Sequence, residues 1–551
     1  DGTVSGISVG GLPDGIVDNG TMADDAIAIA DLAATGTASS STFLRGDNAW
    51  ATAGASALGD LTDAVTTATS NIGIGSTALD SITTGDYNVA LGDEAGTAIT
   101  EGHKNVTLGF RAGKLISTGQ QNVAVGSYSF DANTTGQENI AIGNSALGGN
   151  TTASYNTAVG RSALYTNTTA DYNTAVGYQS LLNNTTGAVN IAIGAFALDA
   201  NTTANDNTAI GVHALGSNTT GANNVALGSY ALYINTTASY NTAVGRNALN
   251  ANITGANNSA LGYGALAANT TAAGNTAVGK DALTDNTTGD YSVAVGRQAL
   301  QNNTTGATNV AVGANAMDVN TTGSDNVAMG KDALRLNTTA AGNTAIGKDS
   351  LRSNTTGPHN VAVGMGALQL NTTAEYNVAV GRNAMNQNTT GIRNIGIGYQ
   401  ALTNNTTANY NVSMGFQSMY LNTTGEHNTA MGKTSLYANS TNTAVGKNAL
   451  DANTTGYNNT AVGDNAGGGM TTAHNNTILG KSSGNGITTG YSNISIGYDV
   501  LSATCTGHQN VYIGQSNGDS SLTGSNNIAI GYHAGRGDSP SGSIGSDSNR
   551  I

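Results

Sequence analysis

Asn156–Gly160, the pentapeptide Asn-Thr-Ala-Val-Gly, is one copy of a phrase that recurs with a 17-residue period along most of the chain. Variants of it begin at Asn173 and Asn190, and the series continues from residue 71 to residue 531. Gly closes all 28 copies, and Asn opens every copy except one, which begins with Ser292. A short period sustained over this length predicts a solenoid, in which each repeat forms one coil stacked on the next.

We number the repeat from its opening Asn. Position 2 is mostly Thr, Val or Ile, position 3 is mostly Ala, position 4 is always aliphatic or Met, and position 5 is Gly. This alternation predicts a short strand that ends in a tight turn. Positions 8 and 9 are usually Ala-Leu, and positions 12 to 15 are usually Asn-Thr-Thr-Gly or Asn-Thr-Thr-Ala, which is turn chemistry. So many poor helix formers argue against helices. The predicted fold is therefore all-β, a parallel β-solenoid or β-roll of 17-residue coils.

The strand has two faces, because positions 2 and 4 point to one side and position 3 to the other. We expect the larger side chains of positions 2, 4 and 9 to fill the coil, which leaves the Ala at position 3 outside. A row of outward methyl groups then predicts lengthwise association, as an intertwined or side-by-side homotrimer. Identical side chains of successive coils are expected to form ladders along the axis. The structural anchors of these ladders include Asn156, Gly160, Asn173, Gly177, Asn190 and Gly194.

The chain divides into three predicted segments. Residues 1–70 are irregular and are expected to form an N-terminal joint that caps the first coil, residues 71–531 form the shaft, and residues 532–551 begin a further segment. Because Asn549-Arg550-Ile551 resembles the opening of another phrase, we expect the chain to be a fragment of a longer protein. From Asn428 to Asn442 the repeat shortens to a 14-residue spacing, which predicts a coil that has lost three residues from a turn.

Composition excludes several functions. The net charge of −15 argues against nucleic-acid binding, and no run reaches the roughly 18 apolar residues of a membrane span. Cys505 is the only cysteine, so no disulfide can form within the chain. Low-complexity disorder is an alternative for a chain rich in Gly and Asn, but aliphatic residues at a fixed phase favour an ordered stack.

The Asn-Thr-Thr turns are also N-glycosylation sequons. Glycosylation is one interpretation, and turn chemistry that the repeat needs in any case is the other. We favour turn chemistry, since glycans stacked about 4.8 Å apart would crowd one another. The candidate acceptors are Asn133, Asn150, Asn167, Asn184, Asn201 and Asn218.

No coil departs from the pattern with converging carboxylates or imidazoles. Asp281, Asp332 and Asp349 each follow a Lys, which indicates solvated ion pairs, and the seven His residues lack the spacing of metal ligands. We therefore predict no catalytic, cofactor-binding or metal-binding residue and no enzyme activity. Aromatic side chains that precede the anchor Asn, such as Tyr155 and Tyr172, could stack on sugars or pack between coils.

Asn442–Gly446 and Asn122–Gly126, together with the 14-residue spacing, resemble the head repeats of trimeric autotransporter adhesins, the YadA-like β-roll. The 17-residue variant is similar to repeats of phage tail fibres and of secreted bacterial fibre proteins, and residues 37–50 resemble a joint segment of tail fibres. The resemblance implies a homotrimeric, extracellular fibre shaft on a cell surface or virion. It also implies a host-surface or cell-surface receptor, a carbohydrate among the candidates, bound through parts outside this chain. The alternatives are a glycosylated extracellular filament and a tailspike-like fibre that processes carbohydrate.

Overall fold

The structure is a computed structural model. It describes residues 70–437, 441–518 and 523–535, and it also gives the backbone of three short strands nearer the N-terminus. The rest of the predicted joint at 1–70, and residues 536–551 of the predicted C-terminal segment, lie outside the described residues. The three short strands are β1 (Thr42–Leu44), β2 (Trp50–Thr52) and β3 (Ala64–Val65). β1 and β2 pair antiparallel with each other, and β3 pairs antiparallel with the first strand of the shaft.

The shaft is a single parallel sheet of 28 three-residue strands, one from each copy of the repeat. The strands are β4 (Ile72–Ile74), β5 (Val89–Leu91), β6 (Val106–Leu108), β7 (Val123–Val125), β8 (Ile140–Ile142), β9 (Thr157–Val159), β10 (Thr174–Val176), β11 (Ile191–Ile193), β12 (Thr208–Ile210), β13 (Val225–Leu227), β14 (Thr242–Val244), β15 (Ser259–Leu261), β16 (Thr276–Val278), β17 (Val293–Val295), β18 (Val310–Val312), β19 (Val327–Met329), β20 (Thr344–Ile346), β21 (Val361–Val363), β22 (Val378–Val380), β23 (Ile395–Ile397), β24 (Val412–Met414), β25 (Thr429–Met431), β26 (Thr443–Val445), β27 (Thr460–Val462), β28 (Thr477–Leu479), β29 (Ile494–Ile496), β30 (Val511–Ile513) and β31 (Ile528–Ile530).

Equivalent positions of neighbouring coils lie side by side. Ala175 of β10 pairs with Ala158 of β9 on one side and with Ala192 of β11 on the other. Hydrogen bonds between coils also occur away from the sheet, for example from the amide of Leu164 to the carbonyl of Ser180 at 2.9 Å. At about 4.8 Å per strand, the stack is about 130 Å long. The predicted all-β parallel solenoid, with its 17-residue coils, is thereby confirmed.

The expected orientation of the strand is wrong. The middle residue, position 3, is buried in all 28 strands, and positions 2 and 4 are half-buried or exposed. In one coil the inward residues are Ala158, Ala163 and Leu164, each 0% exposed, whereas Val159 is half-buried. The Leu at position 9 occupies most of the thin interior, so the strand opposite has room for little more than a methyl group. Close packing therefore places the small residue inside.

The turns rely on left-handed backbone at several positions. Gly at position 5 has φ between +125° and +143° throughout the shaft. Positions 7, 9 and 17 are also left-handed although they are usually not Gly, as at Ser162 (φ 55°), Leu164 (φ 52°) and Tyr155 (φ 61°). A Leu with positive φ is uncommon and strained. Burial of its side chain and the hydrogen bond from its amide to the next coil hold it there.

The interior volume is balanced within single coils. Where position 3 is large, as in Ile478 and Tyr512, position 9 of the same coil is Gly484 or Gly518, and a Cβ on either Gly would lie 2.7–2.8 Å from the large side chain. Four coils with Gly at position 9, two near each end of the shaft, carry an apolar residue at position 12 in place of Asn. These apolar residues are Ile99, Ile116, Met470 and Ile487, all 0% exposed.

The short coil keeps its place in the stack. Thr429 of β25 pairs with Thr443 of β26, and the amide of Asn442 donates to the side-chain oxygen of Asn428 at 2.9 Å, so both contacts follow the shorter spacing. The amide of Leu436 donates to the carbonyl of Ala449 as position 9 does elsewhere, and the amide of Thr441 donates to the carbonyl of Glu426 as position 17 does. The three residues are therefore missing between Leu436 and Thr441, which agrees with the prediction that a turn is shortened.

The orientation of the strand can be tested by substitution in β14. Ala243→Leu adds volume to a fully buried position, and we expect a loss of about 1–3 kcal/mol in stability. Thr242→Val, on the exposed face beside it, should change stability by less than about 0.5 kcal/mol. Adding Leu249→Gly to Ala243→Leu should recover part of the loss, as in the coils of Ile478 and Tyr512. Thermal unfolding by circular dichroism measures all three, and a neutral Ala243→Leu would place this residue outside.

Candidate interaction surfaces

The anchor Asn of position 1 joins three coils. The backbone N–H of Asn173 donates to the Oδ1 of Asn156 at 2.9 Å, and the Nδ2 of Asn173 donates forward to the carbonyl of Gly187 at 2.9 Å. Asn190 repeats the pattern, since its N–H donates to the Oδ1 of Asn173 at 2.9 Å. These side chains are 0% exposed. Buried amides with satisfied hydrogen bonds stabilise the stack and its register.

The anchor Gly of position 5 is required by close backbone contact. Gly160, Gly177 and Gly194 have φ of 137°, 139° and 134°. A Cβ on Gly177 would lie 2.6 Å from the carbonyl carbon and oxygen of Gly194 in the next coil. Because this clash involves backbone on both sides, a side chain at position 5 would push the coils apart.

The sequon Asn at position 12 forms a second buried ladder. The Nδ2 of Asn184 donates to the Oδ1 of Asn167 at 3.0 Å and to the carbonyl of Gly187 at 2.8 Å, and the Oδ1 of Asn184 accepts from Asn201 at 2.8 Å. The side chains of all six candidate acceptors are 0% exposed: Asn133, Asn150, Asn167, Asn184, Asn201 and Asn218. A glycan must be attached at Nδ2, which the folded coil keeps inside. The geometry therefore favours the structural interpretation of the motif.

The exposed face of the sheet is an apolar surface that runs along the shaft. Position 4 is Val, Ile, Leu or Met in all 28 strands, and position 2 is Val or Ile in 17 of them and Thr or Ser in the other 11. Ile191 and Ile193 of β11 are 39% and 38% exposed. We call this surface, formed by positions 2 and 4 of β4–β31, the sheet face. Sequence reasoning assigned these side chains to the core and so missed the face.

Aromatic residues at position 17 stack on one another along the axis. The rings of Tyr155 and Tyr172 are parallel with centroids 5.0 Å apart. Further along, Arg393 lies between the rings of Tyr376 and Tyr410, 5.8 and 5.6 Å from their centroids. Ring faces in these contacts already have a neighbour, so they are not free to stack on a sugar. This favours packing between coils for these residues.

The Lys–Asp pairs at positions 6 and 7 lie at the surface. The Lys Nζ to Asp oxygen distances are 3.3 Å for Lys280–Asp281, 3.7 Å for Lys331–Asp332 and 3.6 Å for Lys348–Asp349, and these Lys side chains are well exposed. The Asp side chains are only 11–19% exposed. The prediction of solvated ion pairs therefore holds for the Lys ends, while the Asp ends are largely covered by the coil.

Position 10 carries four carboxyl groups with a raised pKa. Burial between coils raises the pKa of Asp131, Asp199, Asp318 and Asp451 above the ordinary value. The first three belong to regular coils, whereas Asp451 borders a cavity of about 340 Å³ beside the short coil. The sequence marked the short coil as unusual but gave no sign of this cavity.

Within the described residues, no group of three or more His, Cys, Asp or Glu side chains could hold a metal ion. The same part of the chain contains no helix long and apolar enough to cross a membrane.

Comparison with known protein families and with curated proteins found no match for this chain. The likeness to adhesin and tail-fibre repeats therefore rests on the sequence phrases and on the compatible solenoid.

The two interpretations of the sequon predict different results for two substitutions in one motif. Asn184→Ala removes the acceptor of Asn201, and we expect a loss of about 1–3 kcal/mol in stability. Thr186→Ala also destroys the sequon, but this side chain is exposed, so stability should stay within about 0.5 kcal/mol.

Intact mass of the chain isolated from its source completes this test. The structural interpretation predicts the unmodified mass for the native chain and for both variants. A native mass that exceeds the sequence mass by glycan units, and falls by one unit in Thr186→Ala, would contradict it.

Proposed function

We propose that the chain is the structural shaft of a homotrimeric attachment fibre, located outside the cell on a cell surface or virion. The observation that carries the proposal is the sheet face, a continuous apolar strip on a long, unbranched stack. A rod of about 130 Å separates whatever is joined to its two ends. Nothing in this role requires one coil to differ from the others, which suits a repeat this uniform.

The sheet face supports association of several copies. At about 4.8 Å per strand and two residues of about 3.3 Å in width, the strip covers about 900 Å². This exceeds the roughly 300–600 Å² of the largest apolar patch on a typical monomer. Branched side chains on a flat sheet pack well against a like surface. Burial of the strip between copies would remove its Val, Ile, Leu and Met side chains from water, which is favourable.

Cyclic symmetry closes such an assembly. Copies aligned in parallel, each with its sheet face toward a common axis, form a closed ring of subunits without free ends. The number three comes from the resemblance to trimeric adhesin heads and tail fibres. The sheet face replaces the Ala row of the sequence analysis as the proposed contact, since the Ala residues are inside the coil.

The proposed attachment role also rests on the resemblance. A receptor on a host or cell surface would be bound by parts outside this chain, at an end of the rod. The glycosylated filament is less favoured because the sequon amides are buried. The tailspike-like alternative needs a carboxylate pair in one groove, and the repeat supplies no position dedicated to one.

The assembly can be tested by placing charge on the sheet face. Native mass spectrometry of the unaltered chain should give three copies. Ile193→Glu, Ile210→Glu and Leu227→Glu together put three carboxylates on adjacent strands at position 4, so the trimer should dissociate at higher protein concentration than the unaltered chain. The loss should be largest at low salt, because like charges then repel most strongly.

The matched control places three Glu residues on the same coils away from the sheet face. Thr203→Glu, Thr220→Glu and Thr237→Glu alter exposed turn positions and should leave the trimer intact. A monodisperse monomer of the unaltered chain, or equal dissociation in both triple variants, would overturn the proposed assembly.

A further inference from the structure

The cavity beside the short coil is built from three successive coils. Gln417, Tyr420 and Leu421 come from the coil before it, Thr434 and Tyr437 from the short coil itself, and Asp451 from the coil after it. Its volume of about 340 Å³ lies within the range of ligand sites, which is about 300–1,000 Å³.

The shortened coil explains why the cavity occurs here. Its positions 1 to 9 follow the regular register, because the amide of Leu436 donates to the carbonyl of Ala449 at 2.8 Å as position 9 does elsewhere. The chain then reaches position 17 at Thr441 with three residues fewer than a regular coil. The adjacent coils keep the full length, and the cavity lies beside the place where this coil is shorter.

The lining combines apolar surface with hydrogen-bond acceptors. Tyr420 and Tyr437 offer rings with polar tips. The amide group of Gln417 donates to the Oε1 of Gln400 at 2.9 Å, and the hydroxyl of Thr434 donates to the Oδ1 of Asn448 at 2.6 Å. The Thr434 hydroxyl proton and one of the two Gln417 amide protons are thereby engaged. The Oε1 of Gln417 and the hydroxyl oxygen of Thr434 can still accept hydrogen bonds, as can the carboxylate of Asp451, which lines the same cavity.

The complementary ligand has an apolar ring and several O–H donors, which describes a pyranose sugar. Its C–H faces can pack on the Tyr rings, and its hydroxyl groups can donate to the three acceptors. The lining contains no Lys or Arg, and it contains a carboxylate, so an anionic sugar is disfavoured and a neutral one fits.

We propose that the cavity at the short coil binds a neutral pyranose residue of a glycan. The site lies at positions 7 to 11 and shares no residue with the sheet face, so it is open in a single chain and in an assembly through that face. It goes beyond the shaft function, because it gives the side of the rod a binding site of its own.

The test uses saturation-transfer difference NMR on the full chain with free glucose, galactose and N-acetylglucosamine. At least one of these sugars should receive saturation from the unaltered chain. Asp451→Asn keeps the shape but replaces one acceptor oxygen with a donor, and Tyr437→Ala removes one ring. Each should weaken binding about tenfold, the effect of losing one hydrogen bond or one ring contact.

Two regular coils supply matched controls at position 10. Tyr165 is 44% exposed, as Tyr437 is, and Asp199 is half-buried with a raised pKa, as Asp451 is. Tyr165→Ala and Asp199→Asn should leave sugar binding unchanged. Circular dichroism checks that each variant folds. If Tyr437→Ala does not fold, Asp451→Asn alone tests the proposal. The proposal fails if the unaltered chain binds none of the three sugars, or if the controls weaken binding as much as the cavity variants.

Discussion

Everything in this shaft depends on each coil stacking in register on an identical neighbour. The two Asn ladders enforce that register from inside the coil, because an amide shifted by one residue would lose a donor and an acceptor in a place that water does not reach. The Gly at position 5 then lets the backbones approach closely enough for those amides to meet. Strands of three residues could not hold a sheet together alone. The hydrogen bonds around the rest of the coil compensate for their shortness.

The same requirement explains which parts of the fold the sequence reveals. A 17-residue period with invariant Gly predicts the stack, and the 14-residue spacing between Asn428 and Asn442 predicts the shortened turn. Both features follow from the spacing of repeated residues along the sequence. This spacing can be read without knowing which way a side chain points. The parallel sheet, its length and its register were predictable for this reason.

The direction of the side chains was not predictable in the same way. Alternation in a strand defines two faces but does not say which one is inside. Judged by size alone, Val159 was expected in the interior of the coil and Ala158 outside. Which face is buried depends on the width of the coil. This width is set by Leu164 opposite the strand and by left-handed turns at residues whose type does not predict them. The cavity was invisible for a related reason, since its walls come from three coils and only stacking brings Gln417, Tyr437 and Asp451 together.

The interchangeable coils have a consequence for how such a protein can change over time. Because each coil contacts only its neighbours and pairs with them position by position, a whole repeat could be gained or lost without disturbing the rest. Recombination between near-identical repeats would then alter the reach of the rod in increments of about 4.8 Å. The short coil is the exception, since it occurs once and its cavity needs specific neighbours. The short coil and its neighbours would therefore be retained together while the number of regular coils changes.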